Sequence, residues 1–125
     1  MNPYVTEIID AHIAIENWLS RGEGNADALF SRFDRDFTMV TPNGASLDFA
    51  ALCGFFHAQQ GARAGLKIAV EKIELLAEWQ EGAALRYSEK QSLPEQAETL
   101  RFSTVILKRQ GEKITWRHLH ETAQA

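Results

Sequence analysis

Cysteine is nearly absent from the 125-residue sequence, which contains only Cys53. A single thiol forms no internal disulfide and supplies no thiolate zinc cluster, so neither can support the fold. The chain must therefore gain its stability from an apolar core. Its length suffices for one such core, because a domain of this size buries roughly two thirds of the surface that the unfolded chain exposes. We expect a single domain over residues 1–125 in a reducing, cytoplasmic environment.

Long apolar segments and an excess of positive charge are missing too. The longest apolar run covers residues 49–56, whereas a membrane-spanning helix needs about twenty residues. Lysine and arginine number 13 against 17 aspartate and glutamate residues, for a net charge of −4. A net negative surface repels phosphate backbones and anionic lipids. The sequence thus predicts neither a membrane nor a nucleic-acid partner.

Three helices are predicted in the first half of the chain. Residues 3–20 place apolar side chains, with His12 among them, at spacings of three and four, behind Asn2 as the N-cap. Asn25 can cap a short second helix, and Asp48 a third. The segment between the last two helices is rich in β-forming residues and predicts a strand.

From residue 66 onward the apolar period changes to two, which predicts strands. The first, residues 66–79, changes parity near residues 71–72, as a β-bulge would require. A three-residue loop ending at a left-handed Gly82 would place Trp79 opposite Ala83 and would put Tyr87 and Glu89 on one face. A two-residue loop would reverse that face.

The last two strands are predicted over residues 99–109 and 113–122. A two-residue hairpin between them places His118 opposite Val105 and His120 opposite Ser103. The earlier of the two strands is apolar on both faces, which favours helices on one face and a second copy of the chain on the other, and so a homodimer. The order of elements predicts an α+β fold, a curved antiparallel sheet with three helices packed on its concave face.

Three segments, in this order, are similar to the nuclear transport factor 2-like superfamily. They are residues 18–22 (WLSRG) followed by 29–30 (LF), residues 37–44 (FTMVTPNG), and residues 103–111 (STVILKRQG) with 116–122 (WRHLHET). The last pair is similar to the closing hairpin of polyketide-cyclase-like members and of the calmodulin-dependent kinase association domain. This resemblance implies a cone-shaped, cystatin-like architecture with a pocket at its wide end.

The resemblance does not extend to the functional residues of two well-known branches. Thr41 stands where the ketosteroid isomerase branch has its general-base aspartate, and Ile15 stands where that branch has an oxyanion-binding tyrosine. Thr104 stands where the association domain has an arginine. Neither function is therefore implied for this chain.

Glu89 is the strongest catalytic candidate. Apolar neighbours on its face of the sheet would raise its pKa toward the range of a general base, and Tyr87 on the same face could assist. The alternative is a cross-strand ion pair of Glu89 with Arg101 or Lys72. Arg101 could instead bind a substrate carboxylate, or lie in solvent.

His118 and His120 are further candidates, because side chains two residues apart on a strand project from the same face. They could move a proton, or they could lie at a wet sheet edge or a subunit interface. A metal would need a third ligand, and the sequence has no HExxH or cysteine–histidine set, so no metal is expected. No cofactor is expected either, because no phosphate-binding glycine loop follows a strand.

Three aromatic residues, Trp116, Trp79 and Phe56, are candidates for contact with a ligand, with core packing as the alternative role. The leading hypothesis is a domain that binds a small organic molecule in a mostly apolar pocket, extended to acid–base turnover as a cofactor-independent isomerase, cyclase or dehydratase. The alternative is a non-catalytic dimerisation module. An enclosed cleft that holds a desolvated carboxylate or imidazole would favour an enzyme, and a filled cavity without convergent polar groups would favour the dimerisation module.

Overall fold

The protein is described by a computed structural model that covers residues 2–124. Along the chain the elements are α1 (Pro3–Arg21), α2 (Ala26–Phe30), β1 (Phe33–Val40), β2 (Ser46–Asp48), α3 (Phe49–Ala58), β3 (Lys67–Trp79), β4 (Gly82–Ser92), β5 (Thr99–Gln110) and β6 (Lys113–Ala123).

Each helix begins at the capping residue that the sequence predicts. The side chain of Asn2 accepts a hydrogen bond from the backbone N–H of Tyr4 at 2.8 Å, that of Asn25 from Ala28, and that of Asp48 from Ala51. Each bond pairs a backbone donor that would otherwise be unsatisfied. Helix α1 ends at Gly22, whose left-handed backbone (φ +68°) closes the last turn.

The strands form one curved six-stranded sheet in the order β2-β1-β6-β5-β4-β3. Consecutive strands β3 to β6 pair in antiparallel fashion, while β1 lies parallel to β6. The helices pack on one face, and α1 contributes Tyr4, Ile8 and Trp18 to the core. The predicted α+β class, with helices against a curved sheet, is confirmed.

The β3–β4 hairpin corrects part of the predicted register. Trp79 pairs with Gly82, so the loop has two residues, and the three-residue loop is wrong. The expected bulge is present, with Lys72 at φ +56°. A second irregularity, near Leu76, shifts the pairing of β3 with β4 by one more residue. Tyr87 and Glu89 are both buried and face the core.

The β5–β6 hairpin also differs from its prediction, because a bulge interrupts β6 at Arg117. Leu107 pairs with Trp116, whereas Ile106 pairs with His118. The bulge reverses the inward and outward alternation beyond that point. His118 and His120 therefore lie opposite Ile106 and Thr104, not opposite Val105 and Ser103 as predicted.

Candidate functional site

A cavity of about 520 Å³ lies between the helices and the concave face of the sheet. Most of its walls are apolar. The apolar lining residues are Ile15, Leu19, Phe33, Phe37, Met39, Pro42, Ala45, Leu47, Leu52, Phe55, Phe56, Trp116 and Leu119. Its rim carries exposed residues, among them Asn43, Ala45 and Phe55.

Four ionisable side chains meet on the sheet side of this cavity, and we call them the polar cluster: His12, Glu89, Arg101 and Glu121. His12 comes from α1, and the other three come from neighbouring strands β4, β5 and β6. Glu89 and Arg101 are direct partners across β4 and β5. Both carboxylates are almost fully buried, with exposures of 4% for Glu89 and 6% for Glu121.

The hydrogen bonds of His12 determine where its protons are. Its Nδ1 lies 2.7 Å from the carbonyl oxygen of Ile8, which can only accept, so Nδ1 carries a hydrogen. Its Nε2 lies 3.0 Å from Oε1 of Glu89. One further proton is therefore shared between Nε2 and Oε1, and the pair is either imidazolium with carboxylate or imidazole with carboxylic acid.

The surroundings favour the ionised form of this pair. Burial would lower the pKa of His12, but the hydrogen bond and negative charge of Glu89 raise it above its usual value. Burial would raise the pKa of Glu89, but the hydrogen bond and charge of His12, with a hydrogen bond from Gln91, lower it. The expectation that Glu89 has a raised pKa is therefore wrong, because the helical His12 faces it.

Glu121 is the carboxyl group whose pKa is raised, by burial first and then by the negative charge of Glu89. Arg101 donates to its Oε1 and Ser103 to its Oε2, both at 3.2 Å. Arg101 thus forms its salt bridge with Glu121. Glu121 was missed at the sequence level, although Leu119 was a usable signal, since an apolar residue between two histidines indicates which parity faces inward.

Tyr87 lies next to the polar cluster but is not among the residues that line the cavity. Its ring contacts His12 edge to face, with centroids 5.3 Å apart, and its hydroxyl is 3.5 Å from Nε2 of that residue. Burial raises its pKa well above the usual value for a phenol, with a further contribution from Glu89. The structure thus gives Tyr87 a position from which it orients His12.

Trp116 and Phe56 both line the cavity and are also core residues, with exposures of 2% and 3%. The indole N–H of Trp116 donates to Glu7 at 3.0 Å, and Arg32 donates to both oxygens of that carboxylate. This second, partly buried network fixes the indole against α1. Both residues therefore pack in the core and also form part of the cavity wall.

Three of the predicted site residues lie away from the cavity. Trp79 is 46% exposed at the tip of the β3–β4 hairpin. The imidazoles of His118 and His120 are on the outer face of the sheet, where Nδ1 of His118 lies 2.7 Å from the hydroxyl of Thr38. Glu89, Arg101, Trp116 and Phe56 all line the cavity. Trp79, His118 and His120 lie outside it.

The chemistry open to this arrangement is proton transfer in a mostly apolar cavity. Glu121 can accept a proton, since its ionised form is disfavoured by burial, and Arg101 can hold a developing negative charge. Among residues 2–124, no group of three histidine, cysteine, aspartate or glutamate side chains is arranged to hold a metal ion. None of the helices in this part of the chain is long and apolar enough to span a membrane.

Comparison with known proteins places this geometry in a family. No family model matches the sequence, and no curated protein does. An NTF2-like protein of unknown function from Pseudomonas aeruginosa is 43% identical, with a TM-score of 0.94 and coverage of 98% of this chain and 99% of that one.

Two more distant structures share the fold alone. A protein with a cystatin-like fold from Nostoc punctiforme is 12% identical, with a TM-score of 0.74 and coverage of 99% and 93% of the two chains. The beta subunit of benzoate 1,2-dioxygenase from Burkholderia mallei is 7% identical, with a TM-score of 0.77 and coverage of 97% and 88%. Because the Pseudomonas aeruginosa protein matches over nearly the whole of both chains, this protein belongs to the NTF2-like family.

Proposed function

We propose that this NTF2-like domain binds a small organic molecule in the cavity between its helices and its sheet. The observation that supports the proposal is the polar cluster on the wall of a cavity that is otherwise mostly apolar. Burial of charged groups is costly unless they are paired. Buried, paired charges that border an open cavity are typical of a ligand site, and about 520 Å³ is within the usual range for small-molecule pockets.

The same observation favours a ligand site over the alternative of a pure association module. Such a module would have no need of an unfilled interior, nor of His12, Glu89 and Glu121 on its wall. A ligand with an apolar body would contact Phe37, Phe56 and the other aromatic walls, and the polar residues of the lining would orient its polar group. Binding would displace water from the apolar walls, which contributes to affinity.

Acid–base turnover, as an isomerase, cyclase or dehydratase without a cofactor, stays a prediction. The residues proposed for this turnover differ from those predicted from the sequence, because His118 and His120 lie outside the cavity. Glu121 replaces them as the proton acceptor, and Arg101 would stabilise the negative charge that forms. Glu89 and Tyr87 are better suited to position His12 than to contact a substrate. The cytoplasmic location also stays a prediction.

A thermal-shift screen of planar aromatic, steroid-like and polyketide-like compounds tests the binding proposal. A ligand present at a hundred times its dissociation constant should raise the melting temperature by roughly 10 °C, because it binds only the folded state. Leu47→Trp should abolish the shift, since Leu47 lines the cavity and the larger side chain would occupy it. Leu76→Trp is the matched control, because Leu76 is 49% exposed on β3.

Two outcomes would contradict the proposal. One is a screen in which no compound stabilises the protein. The other is a ligand-induced shift of equal size in both tryptophan variants, since binding would then lie outside the cavity.

We further propose that the domain forms a homodimer through the outer face of the sheet. On this face Phe102 is 49% exposed and Ile106 is 36% exposed, with Thr104 between them and His118 and His120 opposite. A row of large apolar side chains on a sheet face is typical of a covered surface.

Light scattering coupled to size exclusion tests the dimer. The expected mass at micromolar concentration is twice the 14.1 kDa of the chain. Ile106→Lys should convert the dimer to a monomer, because it places a charge in the apolar row. Arg86→Lys on the neighbouring strand keeps the charge unchanged and should leave the dimer intact. A monomeric wild-type chain at this concentration would refute the interface.

A further inference from the structure

Arg63 is a charged residue of the cavity wall that lies outside the polar cluster. Its backbone is fixed on both sides, since its N–H donates to the carbonyl of Leu19 at 2.9 Å and its own carbonyl accepts from Leu66. Its guanidinium lies 5.9 Å from the ring centroid of Phe55, an exposed rim residue. The cation is therefore held at the cavity entrance beside an aromatic face.

None of the carboxylates within residues 2–124 forms a salt bridge with Arg63. The other cations of the cavity are paired, His12 with Glu89 and Arg101 with Glu121. With all these groups ionised, the polar cluster is neutral and Arg63 leaves the cavity lining with one excess positive charge. This excess stands out in a chain whose net charge is −4.

The position of the excess charge indicates how an anion would be oriented in the cavity. The polar cluster offers an anionic group no excess positive charge, because its two cations, His12 and Arg101, are each already paired with a buried carboxylate. The same group at the rim would meet only the Arg63 guanidinium, whose planar fork matches a carboxylate. One unpaired cation suits one negative charge, which favours a carboxylate over a phosphate dianion.

We propose that the ligand of this cavity is a flat apolar monocarboxylate whose carboxylate binds Arg63 at the rim while its apolar body fills the cavity toward the polar cluster. This inference rests on the proposed ligand-binding function and adds the chemical class and orientation of the ligand. Arg63 would then determine specificity, because a neutral molecule of equal shape would lack the ionic contact with its guanidinium.

A matched pair of probes tests the proposal: 2-naphthoate and 2-naphthamide, which share the two-ring body and differ in the charge of the head group. Their dissociation constants are measured by NMR titration of the ¹⁵N-labelled full chain at neutral pH. We expect wild type to bind the naphthoate about tenfold more tightly, as a charge-assisted hydrogen bond at a partly buried site allows. Amide resonances of cavity residues should shift with both probes.

Variants assign the preference to Arg63. Arg63→Gln should remove the tenfold preference by weakening naphthoate binding, with naphthamide binding unchanged. Arg86→Gln is the matched control, since it removes an arginine whose partner is Glu74 in an exposed pair, and it should keep the preference. Arg63→Lys keeps the charge but loses the planar fork, and it should retain part of the preference.

The outcomes separate this inference from the proposed function beneath it. Equal affinities for both probes in wild type, with both abolished by Leu47→Trp, would overturn the carboxylate inference and leave the ligand site standing. A preference that persists in Arg63→Gln would likewise overturn it, since the anion would then bind elsewhere. Absence of binding by both probes would overturn the carboxylate inference, and binding that is unaffected by Leu47→Trp would overturn both proposals.

Discussion

Glu89→Ala is expected to lower the free energy of unfolding by about 3–5 kcal/mol, which is the cost of breaking a buried ion pair from one side. The loss arises because His12, 7% exposed on α1, would stay buried and lose both its counter-ion and the hydrogen-bond partner of its Nε2. The contact also joins α1 to β4, so its removal weakens the attachment of the helix to the sheet. Urea unfolding followed by circular dichroism measures the change.

Two comparison variants show whether the loss comes from the unpaired charge. Glu71→Ala, on the neighbouring strand, removes the partner of Lys90 in an ion pair that is roughly half exposed, and should cost less than about 1 kcal/mol. The double variant His12→Leu with Glu89→Leu removes both charges and should lose less stability than Glu89→Ala alone. Equal losses in the Glu89 and Glu71 variants would show that the buried pair contributes no more to the free energy of unfolding than the exposed pair does.

The same pair predicts a pH dependence. A group whose pKa is raised in the folded state contributes stability below its unfolded value and loses that contribution as the pH rises through the folded value. For His12 the loss begins above about pH 6.5, its ordinary pKa. Wild type should therefore lose stability as the pH rises above about 6.5, because the pKa of His12 is raised in the folded state, and the Glu89→Ala curve should be flatter. Acidic pH is less informative, because the lowered pKa of Glu89 and the raised pKa of Glu121 act in opposite directions there.

Trp116→Ala should also cost about 3–5 kcal/mol, as truncation of a buried aromatic residue does. The indole is 2% exposed, its ring lies 5.8 Å from that of His12 and 6.0 Å from that of Phe33, and its N–H satisfies Glu7. Its removal would enlarge the cavity and leave the Glu7 carboxylate with one donor fewer. Thermal and urea unfolding of the variant measure the loss.

Trp79→Ala is the matched control for this prediction, because it deletes the same side chain at a position that is 46% exposed. Loss of an exposed side chain removes little buried area, so we expect a change of less than about 1 kcal/mol. A Trp79 variant as unstable as the Trp116 variant would contradict the core position assigned to Trp116. Phe33→Leu, which keeps an apolar side chain on the same wall, should fall between the two.

Local signals in the sequence were sufficient for most of the fold. The caps Asn2, Asn25 and Asp48 and the change of apolar period at residue 66 depend on neighbours within a few positions, and the structure confirms them. The bulge at Lys72 was also visible, because apolar residues changed parity there. By contrast, the bulge at Arg117 lies in a segment with few apolar residues, and the change of parity between Trp116 and Leu119 is its only mark.

The candidate site was less accessible to prediction because its contacts are long-range. The partner of Glu89 is His12, 77 positions earlier, on an element whose packing against the sheet the sequence does not specify. Strand partners of Glu89 were considered, and its register partner Arg101 was among them. The pKa of Glu89 was therefore predicted in the wrong direction, since a helix rather than a strand provides its opposite charge.

The Arg117 bulge means that β6 encodes two alternative linings of the cavity. With the extra residue accommodated there, Leu119 and Glu121 turn inward. If β6 paired without the bulge, its residues beyond Trp116 would shift by one position. The imidazoles of His118 and His120 would then face the cavity in place of Leu119 and Glu121. The register of β6 at this one residue therefore decides whether a carboxylate or two imidazoles border the space open to a ligand.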